Sequence, residues 1–168
     1  AYAPLGALIA SDRLMEPFLE DHNSFVHGYT WGAHPVACAV GLANIEVMEQ
    51  EGVLENVREH APAFQAMLDS LRDLPIVGDV RGDGYFHAIE LVRDKETKAS
   101  FSDEESETLL RGFLSGEFYR QGLICRADDR GDPVVQLSPP LIAGPEEFAE
   151  IHGILRPVLE EASNRMIG

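Results

Sequence analysis

The chain has 168 residues, with 29 Asp and Glu against 13 Lys and Arg, a formal charge of −16 and an apolar fraction of 45%. That composition suits one ordinary globular domain or a piece of a larger protein, and it excludes a disordered tail. The negative field opposes phosphate backbones and no basic patch offsets it, so nucleic acid is not the expected partner. The longest apolar run, near Pro4 to Ala10, falls far short of the ~20 residues of a membrane span and lacks the basic flank of a secretory signal, so no membrane association is expected.

Cys38 and Cys125 lie in apolar segments, the pattern of free thiols in a soluble protein of the reducing cytoplasm. Lys95 and Lys98 are the only lysines, and any lysine chemistry must pass through them. A surface this acidic also resembles that of salt-adapted proteins; loss of folded structure at low salt would support that hypothesis and full stability there would refute it.

In chain order, Ala7 to Ala10 reads as a strand, followed by Ser11 and Asp12 as a turn or helix cap. Pro35 suits a first helical position and Gly52 a helix end; the small residues Ala37, Cys38, Ala39, Gly41 and Ala43 between them imply a deeply buried helix. Leu54, Val57, Ala61, Phe64, Leu68 and Leu71 recur at helical spacing and predict an amphipathic helix over Val53 to Leu74, with Pro62 as a site of kinking. Ile76 to Arg81 and Tyr85 to Val92 form a hairpin around Gly82, Asp83 and Gly84. Ser102 and Glu105 make a capping box for a helix over Asp103 to Gln121, stopped by Gly122. Two more strands follow, Leu123 to Arg126 and Val134 to Leu137, and Pro145 opens a last helix that Gly153 and Pro157 should bend. From residue 53 onward the order is helix, two strands, helix, two strands, helix, an α+β layer of helices on a small sheet; residues 1–52 have a different character.

His27, Tyr29, Thr30 and His34 crowd the loop before the small-residue helix, whose start offers amide donors to an anion; equally, Thr30 can serve as a helix cap. The spacing of His22, His27 and His34 matches no standard zinc pair, so no metal site is assigned. Gly82 and Gly84 fail as a dinucleotide fingerprint, because His87 stands where the third glycine belongs and a strand follows. Glu90, in mid-strand, calls for an arginine partner. The acidic run Asp103 to Glu107 reads as a solvated helix start. Arg126 ends an apolar strand, where its planar fork suits a substrate carboxylate or a pair with Asp128, Asp129 or Asp132.

Together, Tyr2-Ala-Pro-Leu-Gly-Ala7, His27-Gly-Tyr-Thr-Trp-Gly-Ala-His-Pro35, Val77-Gly-Asp-Val-Arg-Gly-Asp-Gly84 with Ala88-Ile-Glu-Leu91, and Ser138-Pro-Pro-Leu-Ile142 resemble the class III aminotransferases, pyridoxal-phosphate enzymes of fold type I that include omega-amino acid transaminases. The resemblance implies an α/β and α+β architecture. Residues 1–52 would be the tail of the large cofactor domain with an interface helix, and residues 53–168 a C-terminal small domain of helices packed on a small, mostly antiparallel sheet. By position it implies that Tyr29 and Thr30 contact the pyridoxal phosphate of the neighbouring subunit, which makes a homodimer necessary, and that Arg126 holds the carboxylate of an amino- or keto-acid substrate. The lysine with which the family holds its cofactor would fall a few residues before Ala1. Lys95 and Lys98, in a charged loop, are no substitute, so no catalytic residue is assigned and the chain alone is expected to be inactive. A noncatalytic dimerisation module and a mutase or decarboxylating relative are the alternatives.

Overall fold

A computed structural model of the chain describes residues 3–128 and 133–168, the side chain of Asp128 excepted. Two compact units result, Ala1–Glu51 and Gly52–Gly168.

In the first unit the expected strand at Ala7 to Ala10 does not form; the segment carries no regular secondary structure and joins no ladder among the described residues. Ser11 caps a one-turn helix, α1 (Asp12–Met15), and a 3-10 turn follows over Glu16–Phe18. Helix α2 (Pro35–Gln50) begins at its proline, as expected. Its deep burial is not found, since Ala37 is the one buried residue of the helix and Leu42 and Ile45 are more than half exposed. Small side chains here do permit close approach: a Cβ on Gly41 would stand 2.5 Å from Leu5 Cδ2.

The second unit opens at Gly52, whose φ of +60° suits glycine, and α3 (Val53–Asp69) runs on into a 3-10 turn over Ser70–Asp73. The helix continues through Pro62, which lies on the exposed side, where the carbonyl it leaves unpaired can turn to water. Strands β1 (Val77–Asp83) and β2 (Phe86–Leu91) pair antiparallel and close on the Asp83–Phe86 pair. Gly84, at φ +56°, makes the turn between them.

The Ser102 capping box forms as the sequence predicts: Ser102 N donates to Glu105 Oε2 at 2.9 Å, and Glu105 N to Ser102 Oγ at 3.3 Å. The helix it starts is interrupted. Between α4 (Asp103–Leu109) and α5 (Ser115–Arg120) the residues Leu110–Leu114 form a π-helical turn. Nine residues make ~2.5 turns of an ideal α-helix, which would point Leu109 and Phe118 in opposite directions. Both are 1% exposed, and the wider π turn is what lets them share one core.

Strand β3 (Arg126–Asp128) begins at Arg126, where the sequence reading had a strand end. The Leu123 amide is engaged elsewhere, donating to Phe118 O at 2.9 Å to close α5. With β4 (Val134–Leu137) the strands form one sheet of order β1-β2-β4-β3, and all of its described pairings are antiparallel. Helix α6 (Pro145–Met166) passes through Gly153 and Pro157 as one element. His87, Ile89, Leu91, Val135 and Leu137 point from one sheet face into a core completed by Phe64, Leu68, Leu110, Leu114, Leu155 and Leu159. Each such aliphatic or aromatic side chain is stabilised by about 1.5–3 kcal/mol relative to exposure. The fold is thus a layer of helices on one face of a small antiparallel sheet.

Candidate active site

In the first unit, rings order the loop that leads to α2. Phe18 and Phe25 pack at 5.5 Å, Phe25 and His27 at 5.7 Å, His27 and Tyr29 at 5.4 Å, and Trp31 and His34 at 5.7 Å. Two tight turns follow, Gly32 N donating to Tyr29 O at 2.9 Å and His34 N to Trp31 O at 3.2 Å. The residue that caps α2 is His34, without a side-chain hydrogen bond, so Thr30 is not the cap. Tyr29 and Thr30 are exposed, six and five residues before the helix start at Pro35. An α-helix start without a side-chain cap, with hydroxyls nearby, is chemically suited to a phosphate.

In the second unit the relevant surface is the sheet face turned away from the core. Strand alternation sends Arg81, Phe86, Ala88, Glu90, Val134, Gln136 and Arg126 to that side. Register aligns four of them in one row across all four strands: Arg81 opposite Ala88, Ala88 opposite Gln136, and Gln136 opposite Arg126. Arg81 is paired with Glu90, the arginine partner that this mid-strand carboxylate called for, and stands 3.6 Å from Asp79. Arg126 is exposed and stands opposite Gln136 on the neighbouring strand. The alternative partners Asp129 and Asp132, and the side chain of Asp128, lie outside the described residues. A depression of about 570 Å³ at this end of the sheet is lined by Phe86, Ile124, Cys125, Arg126 and Gln136 among others. Burial pushes the Cys125 thiol up to about 11, which keeps it protonated and unreactive near neutral pH.

Both lysines are exposed. Lys95 Nζ donates to Arg72 O at 2.5 Å, and Lys98 sits at φ +58° in the loop bridged by Asp94 and Ala99. Among the described residues no three His, Cys, Asp or Glu side chains converge as metal ligands, and no helix is long and apolar enough to cross a membrane. Tyr29 and Thr30 belong to one unit and Arg126 to the other. Sequence reasoning missed Gln136 and Phe86 as neighbours of Arg126. Alternation in Val134 to Leu137 points Gln136 away from the core, but only the strand register puts it beside Arg126.

The family model for class-III aminotransferases matches residues 3–159. The chain is 54% identical over 166 residues to the Mycobacterium tuberculosis protein named "Probable aminotransferase Rv3329", covering 99% of this chain and 35% of that one. It is 37% identical over 163 residues to the putrescine–pyruvate aminotransferase of Pseudomonas aeruginosa, covering 96% and 34%. Among solved structures it resembles an (S)-enantioselective omega-transaminase from Thermomicrobium roseum, with TM-score 0.79, 32% identity and coverage of 90% and 33%. It also resembles an omega transaminase from Pseudomonas jessenii in complex with PMP, with TM-score 0.73, 33% identity and coverage of 85% and 30%. The match along nearly its whole length, with the mixed helix and antiparallel-sheet fold, places the chain in the class-III aminotransferase family. It spans about a third of the length of the curated relatives it matches.

Proposed function

We propose that the chain is the C-terminal portion of a pyridoxal-phosphate-dependent aminotransferase that moves an amino group from an amine or omega-amino acid to a keto acid. Residues 1–52 belong to the tail of the large cofactor domain and residues 53–168 to the small domain. The observation that carries this reading is the class-III match over residues 3–159. Pyridoxal phosphate, when bound, supplies the electron sink that such amino transfer needs.

Tyr29 and Thr30 bring hydroxyls close to an α-helix start without a side-chain cap, and they hold the cofactor phosphate across a homodimer contact. Arg126 grips the substrate carboxylate through its two-pronged guanidinium, which orients the acid. Lys95 and Lys98 lie exposed in a charged loop and are no substitute for a cofactor-holding lysine, so the 168-residue chain does not turn over alone. The enzyme works in the cytoplasm. Pyruvate is the first keto acid to test, since it stands in the name of one relative.

The test uses the full-length aminotransferase that carries this chain. Arg126→Ala should raise KM for pyruvate roughly 100-fold while sparing the half-reaction with n-butylamine, which has no carboxylate. An unchanged pyruvate KM would refute the role of Arg126. For the isolated chain, a stoichiometric borohydride-trapped adduct with pyridoxal phosphate would refute its inactivity.

A noncatalytic association module is the second reading, favoured by the apolar side chains that Leu42 and Ile45 expose on α2. Mixing the chain with a fragment carrying the remainder of the protein separates the two. Restored transamination supports the enzyme, and tight association without activity supports the module.

A further inference from the structure

We infer that the Asp83–Gly84 bond, at the tip of the β1–β2 hairpin, is a site of spontaneous isomerisation. There the chain converts from an α-linked to a β-linked aspartate and becomes a substrate for a carboxyl methyltransferase that reads the β linkage. This is the one Asp-Gly pair in the sequence, and no Asn-Gly pair occurs. The chemistry needs a carboxyl group that no cation holds away, a following residue without a side chain, and a backbone that brings the two together. Asp83 is exposed and joins none of the ion pairs among the described residues, unlike Asp69 and Asp79, which Arg72 holds, and Asp73, which Arg156 holds. Its side chain turns instead onto the next peptide, where Gly84 N donates to Asp83 Oδ1 at 2.9 Å. The attacking nitrogen thus lies against the carboxyl group, near the approach of about 3–3.5 Å from which intramolecular closures start. A Cβ built on Gly84 would touch only Val57 Cγ1, at 3.5 Å, so the tip is open. The φ of +56° at Gly84 favours glycine, so the reactive pair comes with the turn itself.

In the first step the Gly84 nitrogen bonds to Asp83 Cγ, the amide proton leaves with the hydroxyl of the protonated carboxyl group as water, and a five-membered succinimide closes. In the second, water adds to one of the two ring carbonyls and the C–N bond there breaks. Opening at Cγ restores the original chain. Opening at the backbone carbonyl carbon of Asp83 leaves Gly84 attached through Cβ and Cγ, and frees the former backbone carbonyl as a carboxylate, the group that the methyltransferase would esterify. Nothing is oxidised or reduced, and solvent water is the only co-reactant. The product carries one more backbone atom at the tip. Because the strands close on the Asp83–Phe86 pair, that atom loosens the closing pair, and with it Phe86, which lines the depression beside Arg126.

The experiment ages the folded, full-length protein that carries this chain in neutral buffer over several weeks. Two signals are read on the protease fragment that spans Asp83 and Gly84: transfer of a labelled methyl group from S-adenosylmethionine by a purified isoaspartyl methyltransferase, and the linkage itself by electron-transfer fragmentation. Labelling of the fragment should rise with age, and a β-linked form of unchanged mass should accumulate with it. Asp83→Glu, which would have to close a six-membered ring, should lose the labelling of this fragment. Asp83→Asn reaches the same succinimide with loss of ammonia and should gain label faster than the unaltered protein. A fragment that stays α-linked in the aged, folded protein overturns the inference, because the fold then blocks the closure. Labelling of the fragment that persists in Asp83→Glu overturns it as well. If either variant fails to fold, the linkage in the unaltered protein decides alone.

Discussion

The hydroxyl of Tyr85 donates to the carbonyl of Ala143 at 2.8 Å, tying the β1–β2 turn to the segment that enters α6, 58 residues away. Tyr85 is 4% exposed and Ala143 1% exposed, so the bond is shielded from water. Burial, with a smaller contribution from Glu147, raises the phenol above its ordinary value of 10.0. Tyr85→Phe keeps the ring contacts with Phe64 and Phe148 and removes one of two donors to the Ala143 carbonyl, Asn56 Nδ2 remaining at 3.0 Å. The expected cost is about 1 kcal/mol, read as a lower midpoint in urea with an unchanged slope.

Gly82 admits no side chain. A Cβ there would meet His87 Nδ1 at 2.6 Å and the Phe86 carbonyl closer still. His87 is 3% exposed and its Nδ1 has no hydrogen-bond partner, because the imidazole is pressed against this glycine. Gly82→Ala should destabilise the second unit by about 2 kcal/mol or more, whereas Gly116→Ala, in open space on α5, should be neutral or slightly stabilising. Thermal unfolding of the two variants side by side checks the contrast.

Arg72 links the turn after α3 to β1. Its Nε donates to Asp69 at 2.7 Å, one terminal nitrogen to Asp79 at 2.8 Å, and the other to Val80 O at 2.5 Å. The hydrogen bonds from Arg72 are the main reason that both carboxyls lie below their ordinary value of 3.8. Groups lowered by folding stabilise the native state above the unfolded value, and that contribution is lost as pH falls below about 4 through the folded values. All three side chains are more than a third exposed, so Arg72→Ala should cost only about 1 kcal/mol at pH 7, and less at high salt. Urea titrations at pH 7 and pH 3 should give a smaller penalty at pH 3; an equal penalty at both would rule out the ion pairs as its source.

Cys125 should be a slow thiol. A value near 11 leaves a thiolate fraction about two orders of magnitude below that of an ordinary cysteine at pH 8. Modification with a coloured disulfide reagent should show this thiol reacting slowly in the native chain and rapidly in denaturant. Cys125→Ser removes the slow phase if the assignment is right.

Much of this architecture could be read from the amino acids alone where the signal is local. The Ser102–Glu105 box, Pro35 and Pro145 at helix starts, and the apolar positions Phe64, Leu68 and Leu71 all report on neighbours within one or two turns. The misses needed partners distant in sequence. Ala7 to Ala10 has strand-like residues but no strand to pair with. The small residues of α2 signal close packing, yet within this chain only Ala37 is covered. Arg126 was visible as an arginine beside an apolar run, whereas Gln136 as its neighbour depends on register, which no local spacing encodes. The π turn was hidden because Leu110, Leu114 and Phe118 by themselves fit an ordinary α-helix.

That turn makes the segment tolerant of trimming at one place. Removing Gly112 should let the stretch from Ser102 to Arg120 wind as one uniform α-helix, because Leu109 and Phe118, then eight residues apart, would lie within roughly 80° of each other about the axis. Phe118 would keep its place in the core, and Leu123, anchored to the carbonyl of Phe118, would enter the sheet as before. The wide turn thus takes up one surplus residue without changing how the last helical turn hands the chain on to Arg126.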